Sequence, residues 1–394
     1  MKRLTKRNAY IEIVFPIYLF LNLMTMTTFC YTPIGESSSL VVLIVKACRY
    51  LIYLISIVKF ASSHFKNKQL MIAAIVSGTF FVSLVFTRDT EYFCYIIVFI
   101  ALIGESGVKI INKHFKITAV FVPCMIMLSQ VGIVEDYITP DLRARHFLGF
   151  NWTTYPAVLL VFLLLEYIYL HEGKVRFLHL IVFDLAGFWI YKKTDSKFAF
   201  AVLAFVSVFF FLVRTYKPIK HKRVYRGLLL TPWICTGISF IVAKTYSPGN
   251  RIMFAINSLL SQRLRLMHSA LETFPLKIIG GQPIEWQGFS RDFTTFEGYN
   301  YVDNSYIQLM LQYGVFLLVI VLTFYTIGIL TGIKEKKAYI CWILVAICLH
   351  GLVEPYLLRF TFNPFVWLGV ELIKPYLPNQ SRIGFYMKRT SSRL

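Results

Sequence analysis

Apolar runs separated by short basic stretches recur along almost the whole chain. A run of roughly 17 to 25 apolar residues is long enough to cross a bilayer as a helix. We count about twelve such runs by this criterion, at 9–30, 39–60, 70–87, 92–108, 117–134, 153–170, 177–192, 197–213, 227–243, 304–330, 338–353 and 361–374. The pattern predicts an all-α integral membrane protein, with residues 1–394 forming a single polytopic membrane domain.

Lysine and arginine concentrate in alternate loops, and such loops are usually cytoplasmic. The N-terminal cluster consists of Lys2, Arg3, Lys6 and Arg7. With twelve spans, the other basic segments that fall on the same side contain Lys66 and Lys68; Lys109, Lys113 and Lys116; Lys174 and Arg176; the run from Arg214 to Arg226; Lys334, Lys336 and Lys337; and the basic tail 375–394. This pattern predicts that both termini are cytoplasmic.

The composition supports a membrane protein and argues against a soluble or nucleic-acid-binding protein. Hydrophobic residues make up 57% of the 394 residues and charged residues only 15%, whereas a soluble protein has roughly 25% charged residues. The net charge of +21 is spread over short loops, so no soluble basic domain is long enough to bind nucleic acid. The seven cysteines form no CxxC pair, which argues against a disulfide framework and a metal site.

Two arginine-bearing loops lie on the predicted outer side, where arginine is normally scarce. We name residues 135–152 the short arginine loop and residues 244–303 the long arginine loop. A loop as long as the second is usually functional. Within it, Asn250 is a candidate N-cap, and apolar residues follow at helical spacing. These residues are Ile252, Ile256, Leu259, Leu260, Leu264, Met267, Leu271 and Phe274. An amphipathic helix lying on the bilayer or on the helix bundle is therefore predicted.

The arginines of this predicted helix point in different directions. At about 100° per residue, Arg265 falls on the polar side, where a solvated or headgroup-facing cation is the simple interpretation. Arg263 falls within the apolar face, so it requires an anionic partner. Three explanations for Arg263 fit the sequence: a structural ion pair, a snorkelling side chain, and binding of a substrate phosphate.

The tenth predicted span begins with an unusually polar stretch, DNSYIQLMLQYG at 303–314. Ser305 and Gln308 have the spacing of a capping box, which would leave Asp303 and Asn304 outside the helix. Asn304, Gln308 and Gln312 are four residues apart and predict one polar stripe that descends into the span. A span that faced only lipid would not keep such a stripe, so we expect it to line a substrate groove.

Charged residues also occur inside predicted spans. Lys46 and Arg49 share one helix face in the second span, and an intramembrane charge is by default a functional hypothesis. The alternative is an ion pair with Glu12, Glu105 or Asp184. Glu166 and Glu371 lie near predicted inner span ends, where an interfacial location is sufficient to explain them.

The two loops and the polar span start together resemble the polysaccharide polymerase and O-antigen ligase family. NSLLSQRLRLMHSALETFPLKIIGGQ at 257–282 is similar to the family's segment of serine, glycine, arginine, helix and glycine turn, with Gln262 in place of the first glycine. RHFLGFNW at 145–152 is similar to the arginine and Leu-Gly-Phe of the family's other loop. Asp303, Asn304 and Gly314 match the spacing of the ligase motif, with aspartate in place of histidine, and this form favours a polymerase.

The resemblance implies a lipid-donor glycosyltransferase bundle in the plasma (inner) membrane, with the reaction at its outer face. Its donor and acceptor would be glycans on undecaprenyl diphosphate, and it would need no metal or other cofactor. Membrane lipids, a flippase and a chain-length regulator are the expected partners. The products would be capsule, exopolysaccharide or O-antigen. An O-antigen ligase-type transferase and a repeat-unit flippase or transporter are the alternatives.

The resemblance also assigns roles to particular residues. Asp303 would be the general base or orient the acceptor hydroxyl, and Arg145 and Arg263 would bind the diphosphate. The further candidates for substrate binding are Asn304, Gln308, Gln312, Arg265, Arg143, His146, His268, Lys46 and Arg49.

Overall fold

A computed structural model describes residues 9–31, 39–63, 67–88, 90–139, 143–213, 215, 217, 219, 222–288 and 299–368. The N-terminal basic cluster, the tail 375–394, Glu371 and the second half of the twelfth predicted span lie outside these residues.

The described part of the chain is helical and contains no β-strand, which confirms the all-α prediction. The α-helices are α1 Phe15–Met24, α2 Ser39–Ser62, α3 Asn67–Thr87, α4 Thr90–Leu102, α5 Gly107–Gln130, α6 Tyr155–Leu170, α7 Phe177–Thr194, α8 Lys197–Val213, α9 Lys222–Arg226, α10 Thr231–Thr245, α11 Arg251–Leu259, α12 Arg263–Thr273, α13 Ser305–Gln308, α14 Val315–Lys334 and α15 Ala338–His350. Short 3₁₀-helices occupy Gly227–Leu230 and Pro364–Leu368, and π-helical turns occupy Tyr10–Val14 and Leu309–Tyr313.

Four helical stretches among the described residues are apolar and long enough to cross a membrane. They are Leu40–Ser62, Gly107–Gln130, Arg223–Thr245 and Val315–Lys334. Other apolar helices, such as Tyr155–Leu170 and Ala338–His350, are shorter than 18 residues. The chain is therefore an α-helical membrane protein, while the count of twelve spans and their orientation stay predictions.

Helix α6 forms the centre of the bundle. Its side chains from Pro156 to Ile168 are all buried, and it packs against α5, α7, α8 and α15. By contrast, α2 exposes a row of large apolar side chains that includes Leu43, Leu51 and Leu54. A largely apolar helix is either buried by protein or exposes an apolar surface suited to lipid; α6 is buried, and α2 exposes such a surface.

The fifth predicted span starts earlier than the apolar pattern indicated. Helix α5 begins at Gly107 rather than at residue 117. The three lysines that the sequence places in a cytoplasmic loop therefore lie on the first turns of this helix. Lys109, Lys113 and Lys116 are three or four residues apart and share one face, which lets the helix continue through a charged segment. Lys113 pairs with Glu12, and Lys59 pairs with Glu105 at 3.0 Å. Those two glutamates are thus not the partners considered for Lys46 and Arg49.

The predicted interfacial location of Glu166 is wrong. Its side chain is fully buried, and both of its carboxylate oxygens lie 3.0 Å from His114 Nδ1. The other ring nitrogen of His114 lies 2.9 Å from the carbonyl oxygen of Thr361. A buried carboxylate needs a hydrogen-bonding partner inside the core, and His114 is that partner for Glu166. Together the two side chains connect α5, α6 and the segment that follows α15.

The predicted single amphipathic helix of the long arginine loop is two helices, α11 and α12. Asn250 caps α11 as predicted, and its side chain accepts hydrogen bonds from the backbone N–H groups of Ile252 and Met253. The chain then breaks at Ser261 and Gln262, whose φ angles are +52° and +67°. The break redirects the chain immediately before Arg263, which the helical periodicity alone did not predict.

The tenth predicted span is also interrupted. The π-helical turn ends at Gly314, where φ is +88°, and α14 begins at the next residue. The two N–H groups exposed by the break, those of Val315 and Phe316, donate to the carbonyl groups of Lys277 and Ile278 at 3.0 and 2.9 Å. Non-helical backbone is tolerated at such a position because other protein segments satisfy its hydrogen bonds.

Candidate functional site

Arg263 lies at the centre of a buried cluster of charges. Its side chain is only 10% exposed, its Nε lies 3.3 Å from Asp303 Oδ2, and one terminal nitrogen lies 3.2 Å from Glu354 Oε1. The same guanidinium donates to the carbonyl oxygen of Val353 and lies 4.6 Å above the ring of Phe198. The anionic partner required for an arginine on an apolar face is thus a pair of carboxylates.

The turn between α11 and α12 positions Arg263. Gln262 adopts a left-handed conformation, which favours glycine because a side chain there is strained. The strain is offset by hydrogen bonds to Asn257, a fully buried residue. Asn257 Nδ2 donates to Gln262 Oε1 at 2.7 Å, and Asn257 Oδ1 accepts from the N–H of Arg265 at 3.0 Å. No pattern in the sequence predicts this role for Asn257.

Asp303 is held by the residues that follow it. Asn304 is the N-cap of α13, since its Oδ1 accepts from the N–H groups of Tyr306 and Ile307 at 3.0 Å each. Its Nδ2 donates to Ser239 Oγ and to the carbonyl of Leu352, both at 2.9 Å. The predicted capping box of Ser305 and Gln308 is therefore wrong, and Asn304 is not free at the surface.

Ser305 connects the same turn to the segment that carries Glu354. Its hydroxyl donates to the carbonyl of Glu354 at 2.6 Å and accepts from the N–H of Leu357 at 3.1 Å. Its own N–H donates to the carbonyl of Gly351 at 2.9 Å. These bonds place the backbone of α13 and the loop after α15 side by side, which brings Asp303 and Glu354 to the same arginine.

These groups line a cavity of about 740 Å³, which we name the arginine cavity. Pockets that bind small ligands usually have volumes of about 300 to 1,000 Å³. Five cations and three carboxylates line it: Arg143, Arg145, Lys197, Arg263, Arg265, Asp195, Asp303 and Glu354. All three predicted catalytic residues, Arg145, Arg263 and Asp303, thus share one cavity with Arg143 and Arg265.

The short arginine loop supplies one wall of the cavity. The N–H of Arg145 donates to Thr139 Oγ1 at 2.9 Å, and its carbonyl accepts from the N–H of Thr139 at 3.0 Å. Arg143 and Lys197 each lie 3.7 Å from Asp195. The pairing of Arg143 with Asp195, the C-cap residue of α7, was not predicted, since nothing in the sequence indicates that residues 143 and 195 are adjacent.

The two carboxylates beside Arg263 have perturbed acidities. Burial raises the pKa of Glu354 to about 7, although Arg263 acts in the opposite direction. Burial also raises the pKa of Asp303, against the attraction of Arg263 and Arg145. The Asp303 side chain is 20% exposed and that of Glu354 is 3% exposed. Asp303 is therefore the carboxylate that a ligand in the cavity can reach.

Other predicted site residues do not line this cavity. His146 Nδ1 lies 2.7 Å from Asp136 Oδ2 within the short arginine loop, and His268 Nδ1 lies 2.9 Å from the carbonyl of Ala243. Gln308 is buried within α13. Gln312 Oε1 accepts a hydrogen bond from Trp286 Nε1 at 2.7 Å. The polar stripe thus contacts protein along its length instead of the arginine cavity.

The glycine turn of the long arginine loop packs directly on this stripe. Gln282 donates its N–H to the carbonyl of Gln312 at 2.9 Å. A Cβ atom on Gly281 would lie 1.9 Å from the same carbonyl oxygen, so only glycine permits the approach. Lys46 and Arg49, the remaining candidates, line a different cavity.

Comparison of the chain with models of known protein families, with curated proteins and with solved structures finds no match. The assignment of function therefore depends on the chemistry of the arginine cavity and on the sequence motifs that contribute to it.

Proposed function

We propose that the protein is a membrane glycosyltransferase that polymerises oligosaccharide repeat units carried on undecaprenyl diphosphate, at the outer face of the plasma membrane. One observation carries the proposal. Arg145, Arg263 and Asp303, which come from three distant motifs, line one cavity of an apolar bundle. The reaction requires a diphosphate-binding group beside a base, and guanidinium groups match phosphate oxygens in geometry and charge.

The chemistry assigned to these residues is a displacement at the anomeric carbon of the donor glycan. A hydroxyl of the acceptor sugar forms a bond to that carbon as the bond to the diphosphate oxygen breaks. The electron pair leaves with the diphosphate, whose charge Arg145 and Arg263 stabilise. The hydroxyl proton passes to Asp303, which burial makes a stronger base than an ordinary aspartate.

In this proposal, Glu354 lets the charge cluster couple substrate binding to activation of the base. Arg263 contacts both Asp303 and Glu354. A diphosphate that binds Arg263 competes with Asp303 for the guanidinium, so substrate binding frees Asp303 to accept a proton. Glu354, the more buried carboxylate, keeps its contact and holds Arg263 in position. Substrate binding and activation of the base are then coupled through one side chain.

The test is the size distribution of lipid-linked glycans in cells that express single-residue variants. Removing a general base slows a reaction by about 10²- to 10⁴-fold, so Asp303→Asn should accumulate single repeat units and lose long polymer. Arg263→Lys should do the same, because lysine cannot bind a phosphate with two parallel hydrogen bonds. Lys244→Gln is the matched control, since Lys244 is an exposed cation outside the cavity. Full-length polymer in both cavity variants at normal expression would refute the site assignment.

A transporter is the second candidate function, and the interruption at Gly314 favours it because transporters often contain broken helices at their binding sites. The same experiment separates the alternatives. Repeat units trapped on the cytoplasmic leaflet of a deletion strain would indicate a flippase. Long polymer that stays on its lipid in that strain would indicate a ligase-type transferase.

A further inference from the structure

A groove of about 540 Å³ runs along the surface between α1 and α5, and we name it the α1–α5 groove. Eleven of its twelve described lining residues are apolar, and the twelfth is Lys116. One row of α5 residues, each four positions from the next, lines it: Lys116, Val120, Cys124 and Leu128. From α1, the ring of Phe20 meets that of Phe121 edge to face at 5.8 Å. The groove is therefore an apolar channel between two contacting helices, with a cation at one end.

The groove opens on a surface suited to lipid. Helix α5 is one of the four helical stretches that are apolar and long enough to cross a membrane. On this helix Val120 is 64% exposed and Cys124 is also exposed. From Lys116 to Leu128 the row extends about 18 Å, at a rise of about 1.5 Å per residue. The hydrocarbon layer of one leaflet is about 15 Å thick, so one acyl chain of a phospholipid matches the groove in length.

Lysines outnumber acidic residues at one end of the groove. Three of them share one face of α5: Lys109, Lys113 and Lys116. In α5, in α1 and in the π-helical turn before α1, the only acidic residue is Glu12. It accepts a hydrogen bond from Lys113 and attracts the other two lysines as well. Glu105 already pairs with Lys59 at 3.0 Å. One carboxylate thus serves three ammonium groups, and a further anion at this end lowers their mutual repulsion.

Lys116 connects the charged end to the apolar channel. Side chains on a helix lean toward its N-terminus, so the exposed Lys116 extends its ammonium group toward the other two lysines. Its methylene stem stays against the apolar lining, as lysine stems do at membrane interfaces. The basic pattern predicts that this end of α5 is cytoplasmic, and the cytoplasmic leaflet is rich in anionic lipids. A zwitterionic head group brings its own cation, so the excess of lysines favours a head group with net negative charge.

The groove lies beside the segments that support the short arginine loop. Just after α1, the carbonyl of Met26 accepts a hydrogen bond from the N–H of Asn151 at 2.9 Å. On α5, Met125 lines the groove, and its carbonyl oxygen would lie 3.2 Å from a Cβ atom on Gly149. A lipid that fills the groove therefore packs against the two elements that hold this loop, and with it Arg145, in place.

We propose that the α1–α5 groove is a binding site for an anionic phospholipid, whose phosphate contacts Lys116 and one of whose acyl chains lies in the groove. The acyl chain packs between Phe20 of α1 and Cys124 of α5. The bound lipid fastens the two helices together beneath the short arginine loop. The inference depends on the lining and the charge of this groove and does not require the reaction proposed for the arginine cavity.

The test is native mass spectrometry of the full-length protein, titrated in detergent with phosphatidylglycerol or with phosphatidylcholine that carries the same acyl chains. This measurement resolves how many lipids bind and with which dissociation constants. We expect the tightest phosphatidylglycerol to bind about tenfold more tightly than phosphatidylcholine, as one charge-assisted hydrogen bond provides. Glycerophosphoglycerol, the same head group without acyl chains, should not displace it. Equal affinity for that head group would show that the groove contributes nothing and would overturn the proposal.

Variants locate the site. Lys116→Gln should abolish the preference for phosphatidylglycerol, and Cys124→Trp should weaken the binding of both lipids because its ring fills the groove. The matched controls are Lys174→Gln, an exposed cation on the same predicted side, and Cys48→Trp, an exposed cysteine on α2. All four side chains are exposed, so the lipid-free variants should keep the wild-type unfolding temperature.

Three results would overturn the proposal. The first is equal binding of the two lipids by the wild type. The second is an equal effect of each groove variant and its matched control. The third is a dimer that Cys124→Trp dissociates, which would show that a second copy of the chain occupies the groove.

Discussion

Replacing Arg263 by methionine provides a strong test of the charge cluster. The guanidinium lies 3.3 Å from Asp303 and 3.2 Å from Glu354. At an effective dielectric constant near 20, each such contact is worth about 5 kcal/mol of Coulomb energy, most of which offsets desolvation. Methionine keeps a similar length but removes the cation that contacts both carboxylates, and it leaves Glu354 without a contacting cation. Removal of one partner from a buried ion pair usually costs about 3 to 5 kcal/mol, and we expect a loss of that size.

A second substitution shows whether the cost comes from the uncompensated carboxylates. Glu354→Gln removes the more buried charge, so the double variant Arg263→Met/Glu354→Gln should recover stability relative to Arg263→Met. Directly contacting groups show coupling energies of about 0.5 to 3 kcal/mol, and we expect a value in the upper half of this range. The single variant Glu354→Gln should be only mildly destabilised, because the contact between Arg263 and Asp303 remains.

The assay is thermal unfolding of the purified full-length protein in one detergent at one scan rate, since unfolding of a membrane protein is often irreversible. Lys244→Met is the control, because it removes a cation whose partner, Glu272, is also exposed, and such pairs contribute little. Equal unfolding temperatures for Arg263→Met and Lys244→Met would refute the reasoning. Absence of any recovery in the double variant would show that the loss arises from packing instead of charge.

Three further predictions concern individual residues. Burial raises the pKa of Glu354 from 4.5 to about 7, so the folded protein binds more protons than the unfolded chain between these values. The contribution of Glu354 to stability should therefore be greatest below about pH 4.5 and decrease toward pH 7. The difference in unfolding temperature between Glu354→Gln and the wild type should shift in favour of the variant as the pH rises through this window, and a difference that does not change with pH would contradict the assignment. Gln262 has a φ of +67°, which glycine adopts without strain and a β-branched residue does not. In chemical denaturation, the free energy of unfolding of Gln262→Gly should stay within about 1 kcal/mol of the wild-type value, and that of Gln262→Val should fall by about 2 kcal/mol or more. Gly281→Ala should lower the free energy of unfolding by about 1 to 3 kcal/mol, because the new Cβ would lie 1.9 Å from the carbonyl oxygen of Gln312. Gly237→Ala is the control, since a Cβ there would meet nothing within 4 Å. Equal stabilities of the two alanine variants would contradict the close approach.

Some features of the site were predictable from the chain alone. The helical periodicity placed Arg263 on an apolar face and required an anionic partner, and Asp303 and Glu354 fill that role. The loop positions indicated Arg143 and Arg145, which line the same cavity as Arg263. These predictions succeed because the cost of burying a charge depends on the residue and its local surroundings, which the sequence contains.

Other features were not predictable. Glu354 follows an apolar helix with no local pattern that marks it, Asp195 lies in the short connection after α7, and Lys197 is the first residue of α8. Their importance depends on which segments approach Arg263 and Arg143. The capping box predicted for Ser305 and Gln308 is wrong for a similar reason, since Asn304 donates hydrogen bonds to Ser239 and to the carbonyl of Leu352 from distant parts of the chain.

The sequence by itself determined that this chain is an α-helical membrane protein and indicated Arg143, Arg145, Arg263, Arg265 and Asp303, which the structure brings to one cavity. Hydrophobic length and periodicity are properties of consecutive residues, so they can be read without a fold. The tertiary structure alone decided that Arg145, Arg263 and Asp303 share one cavity, that Lys46 and Arg49 line another, and that α11 and α12 are separate helices. These outcomes depend on contacts between residues far apart in the chain, where packing and long-range hydrogen bonds outweigh local preference.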